Sequence, residues 1–593
     1  MPTLQSDPVS GYRTFAGTAP RAASRSYRIA RALAAYGLAA ATYACKGDIA
    51  ADPYQPNAAT GSSAGVGATS AAGAAFMGAA GTAAGGGASA AAPAGTCQDA
   101  RLGGRAVLIA PRQYVNVLRD VIGATAVADA DAATSGELSF ETVDLPPITT
   151  STLDRLVRLS DGAVESLRGK TAAFLACAAL SDDACVRSSL ERLGKRIYKR
   201  PMQPAELDAV MALRQQGSAS ITTDQGESGT LAALQAILIA PSSLYRTEFT
   251  NVAVPGATPL TAHERSAALA AFLLDSVPDP QLVAAADDGS LLTRPGLEAQ
   301  VDRLLALPRV RNHVTQLVLT AFNVTRIFAT PKDGAKFPQY TAALQNSMYE
   351  ETRRFVEDVL WTRSAPLSEL LTSRHSFIDA SLAKLYGVAA PSGGTFAATD
   401  LPAERAGLLT QASVLSVLSR TDVNSVVARG LFVRGNVLCL PKIPGPPASV
   451  AAEVAMQLDA KASQKDLAAY RAKTSPCLGC HQQFDRFGLL LEAFDPIGRS
   501  VPAQAAAIDF TGLAPIDGVL SDVNALTARI NQDQLFARCF ADRTLSYALS
   551  VSNNSQALCL TDGVSATPAS GSIRQLVLAI ADSPTFNSRR KEP

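Results

Sequence analysis

The stretch Met348-Tyr349-Glu350-Glu351-Thr352-Arg353-Arg354-Phe355-Val356-Glu357-Asp358-Val359-Leu360-Trp361 decides the fold class. Met348, Thr352, Phe355, Val356, Val359 and Leu360 recur at helical spacing, while Glu350, Glu351, Arg353, Arg354, Glu357 and Asp358 fill the remaining face. Only a period of about 3.6 residues separates the two sets in this way, so the segment is a core-packing amphipathic helix. The same pattern is readable at Gln113–Ile122, Ser188–Ile197, Pro204–Leu213, Leu231–Ala240, His263–Leu274, Gly296–Leu305 and Leu408–Leu418. Pro204 suits a first helical turn, where its missing N–H costs nothing, and Pro241 stops the helix before it. Strand-like alternation is scarce. Its best case is Ala507–Leu520, where Ile508-Asp509 and Ile516-Asp517-Gly518 bracket Gly512 as a small hairpin. The expected fold is all-α, several bundle-like helical blocks with a β-hairpin near 507–520.

The N-terminus reads differently. Arg21, Arg25, Arg28 and Arg31 precede an apolar run from Ala32 to Ala44 that ends at Cys45. A basic region followed by a short apolar stretch and small residues is an export-signal pattern, and the run is about half the roughly 20 residues that span a bilayer. Cys45 is a lipidation candidate, although Tyr43 fits a lipoprotein signal poorly. From about Asn57 to Gly95 the chain is nearly all Ala, Gly, Ser and Thr, the composition of a flexible tether. The expected organisation is a signal segment (1–45), a linker (46–100), helical blocks at 101–175, 176–245 and 246–395, a block bearing the chemical motif (396–505) and a C-terminal block (506–593).

Charge excludes one class of function. The 593 residues hold 53 Lys+Arg against 52 Asp+Glu, a formal charge of +1, so no global field draws in nucleic acid. The rare residues are nine Cys, four His, six Met and one Trp, a short supply of ligands for any metal.

Cys477-Leu478-Gly479-Cys480-His481 is a C-x-x-C-H run, the attachment signature of c-type haem. Two thiols three positions apart lie on one side of a helical turn, and the adjacent His481 reaches the iron as proximal ligand. One covalently bound haem c is the expected cofactor. The alternatives are a thioredoxin-like pair, which lacks the preceding strand, half a zinc site, which lacks a second Cys or His pair, and a plain disulfide, which an exported chain permits. With Cys45, Cys477 and Cys480 assigned, six cysteines remain. Cys177 with Cys185 and Cys539 with Cys559 read as local disulfides, which leaves Cys97 and Cys439 to pair at long range or remain free.

Several further motifs carry a resemblance. They are Pro111-Arg112-Gln113-Tyr114, Lys199-Arg200-Pro201 with Glu206, Ala240-Pro241-Ser242-Ser243-Leu244-Tyr245-Arg246, Phe377-Ile378-Asp379, Arg405-Ala406-Gly407-Leu408-Leu409, Arg429-Gly430, and the haem run with Asp485, Gly488, Leu491-Glu492, Phe494-Asp495 and Gly498. In these, from about residue 103 to 590, the chain resembles the planctomycete- and myxobacterial-type exported cytochrome c-like proteins, built from a fixed series of domains of unknown function. The resemblance implies an exported haem protein associated with complex-carbohydrate degradation. Departures from it are Phe484 where the family usually has Met, Arg486 and Val426 where it has Pro, and Tyr470 where it often has His.

No Met follows Met456 and no His follows His481, so a distal Met downstream of the motif is excluded. The remaining distal candidates are Met456, the nearest in sequence, and Tyr470. His263, His313 and His375 lie in other blocks, and His313 and His375 are expected to be solvated. A six-coordinate iron implies electron transfer with a redox partner. A five-coordinate iron implies a peroxidase- or oxygenase-like enzyme with Arg486, Asp485 or Glu492 near it. The third reading is a cell-surface binding scaffold in which the motif is structural.

Overall fold

The helix anchored on Phe355 and Val356 spans Ala342–Glu357 and continues as a wider π turn over Asp358–Thr362. It begins six residues before Met348 because Thr341 caps it, its hydroxyl accepting the Leu344 N–H. Met348, Phe355, Val356, Val359 and Leu360 are all buried, as their spacing requires. Glu351 departs from its expected place on the polar face. It is fully buried, and the hydroxyls of Tyr386 (2.6 Å) and Ser376 (2.9 Å) donate to its carboxylate. Burial pushes its carboxyl up to about 7, against those two hydrogen bonds.

The computed structural model describes residues 103–123, 126–127, 148–224, 226–249, 257–393, 395–445, 463–475, 477–551 and 571–590, all within the compact unit Ala100–Pro593. The signal segment, Cys45, the Ala/Gly/Ser-rich linker, Cys97, Met456 and Cys559 lie outside them. The described chain is mostly helical, with four small two-stranded sheets. No helix among the described residues is long and apolar enough to cross a membrane. Other helices foreseen from periodicity are present, among them Pro111–Val121, Asp183–Ile197, Pro204–Ser220, Glu227–Ile239 and Arg294–Ala306, but Leu408–Leu418 is not one helix: extended Gln411 divides it into a single 3-10 turn, Leu408–Thr410, and the short helix Ala412–Val417. The segment after Thr261 starts as the α-helix Ala262–Leu269, then widens to a π turn at Ala270–Leu274 that Asp275 ends with φ +52°.

The hairpin appears as Ile508–Asp509 paired antiparallel with Val519–Leu520, with Gly512 and Gly518 at φ +76° and +90° between them. Two other sheets fasten the two ends of the Ala100–Pro593 unit. Arg105–Leu108 pairs with Tyr245–Glu248, and Ala257–Pro259 pairs with Ser588–Arg590. Glu248 joins these sheets: fully buried, it accepts from Arg105 Nε (2.7 Å) and Arg589 Nε (2.8 Å), with Arg246 beside it. Burial alone would raise its carboxyl, but Arg246, Arg105 and Arg589 outweigh that and hold it down to about 2.

Tyr114, Leu118, Leu190, Leu234 and Leu238 belong to one apolar core. A larger core runs through Leu269, Leu317, Phe355, Leu409, Phe487, Leu545 and Ile580, so residues far apart in sequence share one interior. A third cluster gathers Met348, Ile378, Leu382, Tyr386 and Ile497.

The disulfides confirm one expectation and correct another. Cys177 and Cys185 are bonded, the second lying in the first turn of Asp183–Ile197. Cys539 does not pair with Cys559; it is bonded to Cys439, 100 residues away. Cys539 sits inside the helix Leu535–Leu549. That helix packs beside the 433–439 turn, where Arg543 Nη2 donates to Gly435 O (2.9 Å), and this places Cys539 against Cys439. His313 is also corrected: it is not solvated. It is half-buried: its Nε2 lies 3.2 Å from both the Phe272 carbonyl and the Tyr547 hydroxyl, in a partly buried network with Asp275 and Arg112, and burial lowers its pKa.

Candidate functional site

The C-x-x-C-H run forms a short helix, α1 (Cys477–His481). It starts because Leu478 N–H donates to Thr474 O (3.0 Å), directly after the helix Gln464–Arg471, whose Ser463 and Asp466 cap each other's backbone. Cys477 is buried, Cys480 is exposed, and neither is in a disulfide. The plain-disulfide reading of this pair therefore finds no support. Among the described residues, no group of three or more His, Cys, Asp and Glu side chains is placed to hold a metal ion.

His481 is oriented from two sides. Its ring lies against that of Phe484, centroids 4.8 Å apart, and its Nδ1 is 3.1 Å from Asp485 Oδ1. With Asp485 ionised, the geometry assigns the proton to Nδ1, which donates to the carboxylate and leaves the Nε2 lone pair for an acceptor of electron density. Asp485 Oδ2 accepts from Arg471 Nε at 3.0 Å. Both side chains of that ion pair are under a tenth exposed, 7% for Asp485 and 9% for Arg471, while His481 keeps 22%. Arg471 Nη2 is buried without a hydrogen-bond partner.

The residues present fit a c-type haem. Two thiols free of each other stand on one turn, and the next residue is a histidine whose tautomer is fixed with Nε2 available. Phe484, standing where the resemblance has Met, packs on the ring of His481 rather than offering a sulfur.

The support under this turn explains many of the remaining motif residues. Helix α2 (Asp485–Leu490) crosses the helix Val426–Phe432 at two glycines. A Cβ on Gly488 would meet Val426 O at 2.0 Å, and one on Gly430 would meet Phe484 O at 2.1 Å. Arg429, fully buried, donates from Nη1 to Leu491 O (2.6 Å) and Phe494 O (2.9 Å), and from Nη2 to Asp495 O (3.1 Å). Each of these carbonyls also accepts a second hydrogen bond, Leu491 O from the Phe494 N–H, Phe494 O from Asn424 Nδ2 and Asp495 O from the Gly498 N–H, so the guanidinium ties together a turn that is already hydrogen-bonded. Arg405, also fully buried, donates to Thr410 O and Gly498 O and lies over the rings of Tyr386 and Phe494, 4.1 and 4.9 Å from their centroids. Asp495 Oδ1 accepts from the N–H groups of Ile497 and Arg499, closing the turn that Gly498 makes at φ +84°.

Of the three charged residues singled out near the iron, the structure brings only Asp485 to His481. Arg486 Nη1 donates to Thr511 O on the hairpin, and Glu492 lies beside Arg429, where burial raises its carboxyl. Arg471 was not foreseen. The signal for Asp485 was its position four residues after His481, the spacing that puts two side chains on one helical face. His263 faces Asp287 (3.5 Å) and His375 faces Asp400 (3.4 Å), each held elsewhere. Met348, Met202 and Met211 are buried in apolar cores.

Three family models match the chain, each described as a protein of unknown function: PSD5 (DUF1595) over residues 185–248, PSD4 (DUF1592) over 260–388 and PSCyt3 (DUF1588) over 405–503. No curated protein and no solved structure matched it. The third model begins at Arg405, whose guanidinium reaches Gly498 O, and it contains the whole support around Arg429, Gly430 and Gly488. The chain therefore carries three successive domains of unknown function, PSD5, PSD4 and PSCyt3, and its C-x-x-C-H turn lies inside the third.

Proposed function

We propose that this is an exported redox protein carrying one covalently bound haem c, which passes single electrons to and from a redox partner protein. The observation that carries the reading is the set at 471–485: two unpaired thiols, then a histidine whose Nδ1 is held by a buried carboxylate so that Nε2 is the ligating atom. Cys477 and Cys480 would hold the haem and His481 its iron, with Met456 the candidate distal ligand. When bound, the group supplies a one-electron couple. The chain's own residues orient the imidazole, through Asp485 and Phe484, and keep the turn rigid, through the Gly430–Gly488 crossing. Two disulfides suit an oxidising compartment, which supports export, with Cys45 as the site of a lipid anchor.

One observation favours a second reading. A carboxylate on the proximal histidine makes that ligand more basic, which suits a five-coordinate, peroxidase- or oxygenase-like iron as well as electron transfer. The ferric absorption spectrum of the haem-loaded protein separates the two. A low-spin spectrum and reversible uptake of one electron per chain are expected. A high-spin spectrum that changes on adding peroxide would replace electron transfer with the enzymatic reading.

A further inference from the structure

We infer that Arg471 and Asp485 together set the reduction potential of this site, by controlling how much negative charge reaches the imidazole of His481. The inference rests on the haem reading above and adds to it a means of tuning.

Three chain segments deliver the parts. Arg471 is the last residue of the helix Gln464–Arg471, His481 the last of α1, and Asp485 the first of α2. The carboxylate of Asp485 is divided between them: Oδ1 accepts from His481 Nδ1 (3.1 Å) and Oδ2 accepts from Arg471 Nε (3.0 Å). Because the ion pair is buried, water does not screen it, and each partner acts strongly on the other. Nor can the carboxylate drift: α2 is locked to its neighbour helix where Gly488 meets the Val426 carbonyl.

A carboxylate that draws on the Nδ1 proton makes Nε2 a better donor and so favours the oxidised metal. The guanidinium on the opposite oxygen pulls that charge back. The two groups are opposed, and removing one or the other should move the equilibrium in opposite directions. Both are positioning residues: neither is placed to ligate the iron.

The test is a potentiometric titration of the haem-loaded protein, with the haem content of each variant measured first by pyridine haemochrome. Asp485→Asn should increase the reduced-to-oxidised ratio at fixed potential about tenfold, which for one electron is a rise of about 59 mV. Arg471→Gln should change it in the reverse direction, and Arg471→Lys, which keeps the charge, should return it toward the parent value. If Asp485→Asn does not fold, the Arg471→Gln and Arg471→Lys pair decides alone. Haem c present with unchanged potentials, or with all variants shifted the same way, overturns this inference and leaves the haem reading standing. Absence of haem c from the parent protein overturns both.

Discussion

Replacing Gly488 with Ala should destabilise the protein by about 3 kcal/mol, the upper part of the range for forcing atoms into a packed interior. The sign is the informative part. In an open helix, Gly→Ala gains roughly 0.5–1 kcal/mol, because alanine restricts the unfolded chain and glycine does not. At Gly488 the added carbon would stand 2.0 Å from Val426 O and 2.7 Å from Val426 C. These are backbone atoms, so no rotamer change relieves the contact, and the two helices must separate. Separation would pull Asp485 away from His481 and loosen the hydrogen bond from Arg429 to Leu491 O. Gly162, inside the helix Thr150–Glu165 with nothing within 4 Å of its added carbon, is the internal control. Urea denaturation should show Gly162→Ala shifting the midpoint slightly up and Gly488→Ala shifting it clearly down, with m unchanged. Equal behaviour of the two variants would contradict the close crossing.

Removing the Cys439–Cys539 bridge by a double alanine substitution should cost more. The two cysteines are 100 residues apart, and opening a loop of about that size releases chain entropy worth about 4.7 kcal/mol in the unfolded state. The Cys177–Cys185 bridge closes only eight residues, for which the same relation gives about 2.5 kcal/mol. The long bridge also encloses the C-x-x-C-H turn, and it ties the interior of the 405–503 match to the helix Leu535–Leu549 beyond it. Denaturation under oxidising conditions should therefore rank parent, then the Cys177/Cys185 variant, then the Cys439/Cys539 variant. The reverse order would mean that local strain relief outweighs loop entropy.

What the sequence made legible was whatever depends on local pattern. Helical periods located the long helices, glycine placement located the 508–520 hairpin, and a five-residue motif located the chemistry. Long-range pairing was not legible in the same way. Cys559 is the nearer partner for Cys539 along the chain, and the packing of the helix Leu535–Leu549 beside the 433–439 turn, which brings Cys439 to it, is not visible in local pattern. Glu351 was placed on the polar face because periodicity ranks residues by chemistry, and a carboxylate buried against Tyr386 and Ser376 defeats that ranking. His313 escaped for a related reason: its partner Tyr547 lies 234 positions away. Arg471 could not be found locally either, since it reaches Asp485 only once two short helices have folded back on each other.

Covalent haem at one turn of helix is the central requirement of the proposed function. The most direct measurement is the intact mass and pyridine haemochrome of the protein produced alongside a c-type haem maturation system. The expected result is one haem per chain, surviving denaturation and lost when Cys477 and Cys480 are both replaced by Ala. An intact mass equal to that of the polypeptide alone, with no haem c spectrum, would contradict it.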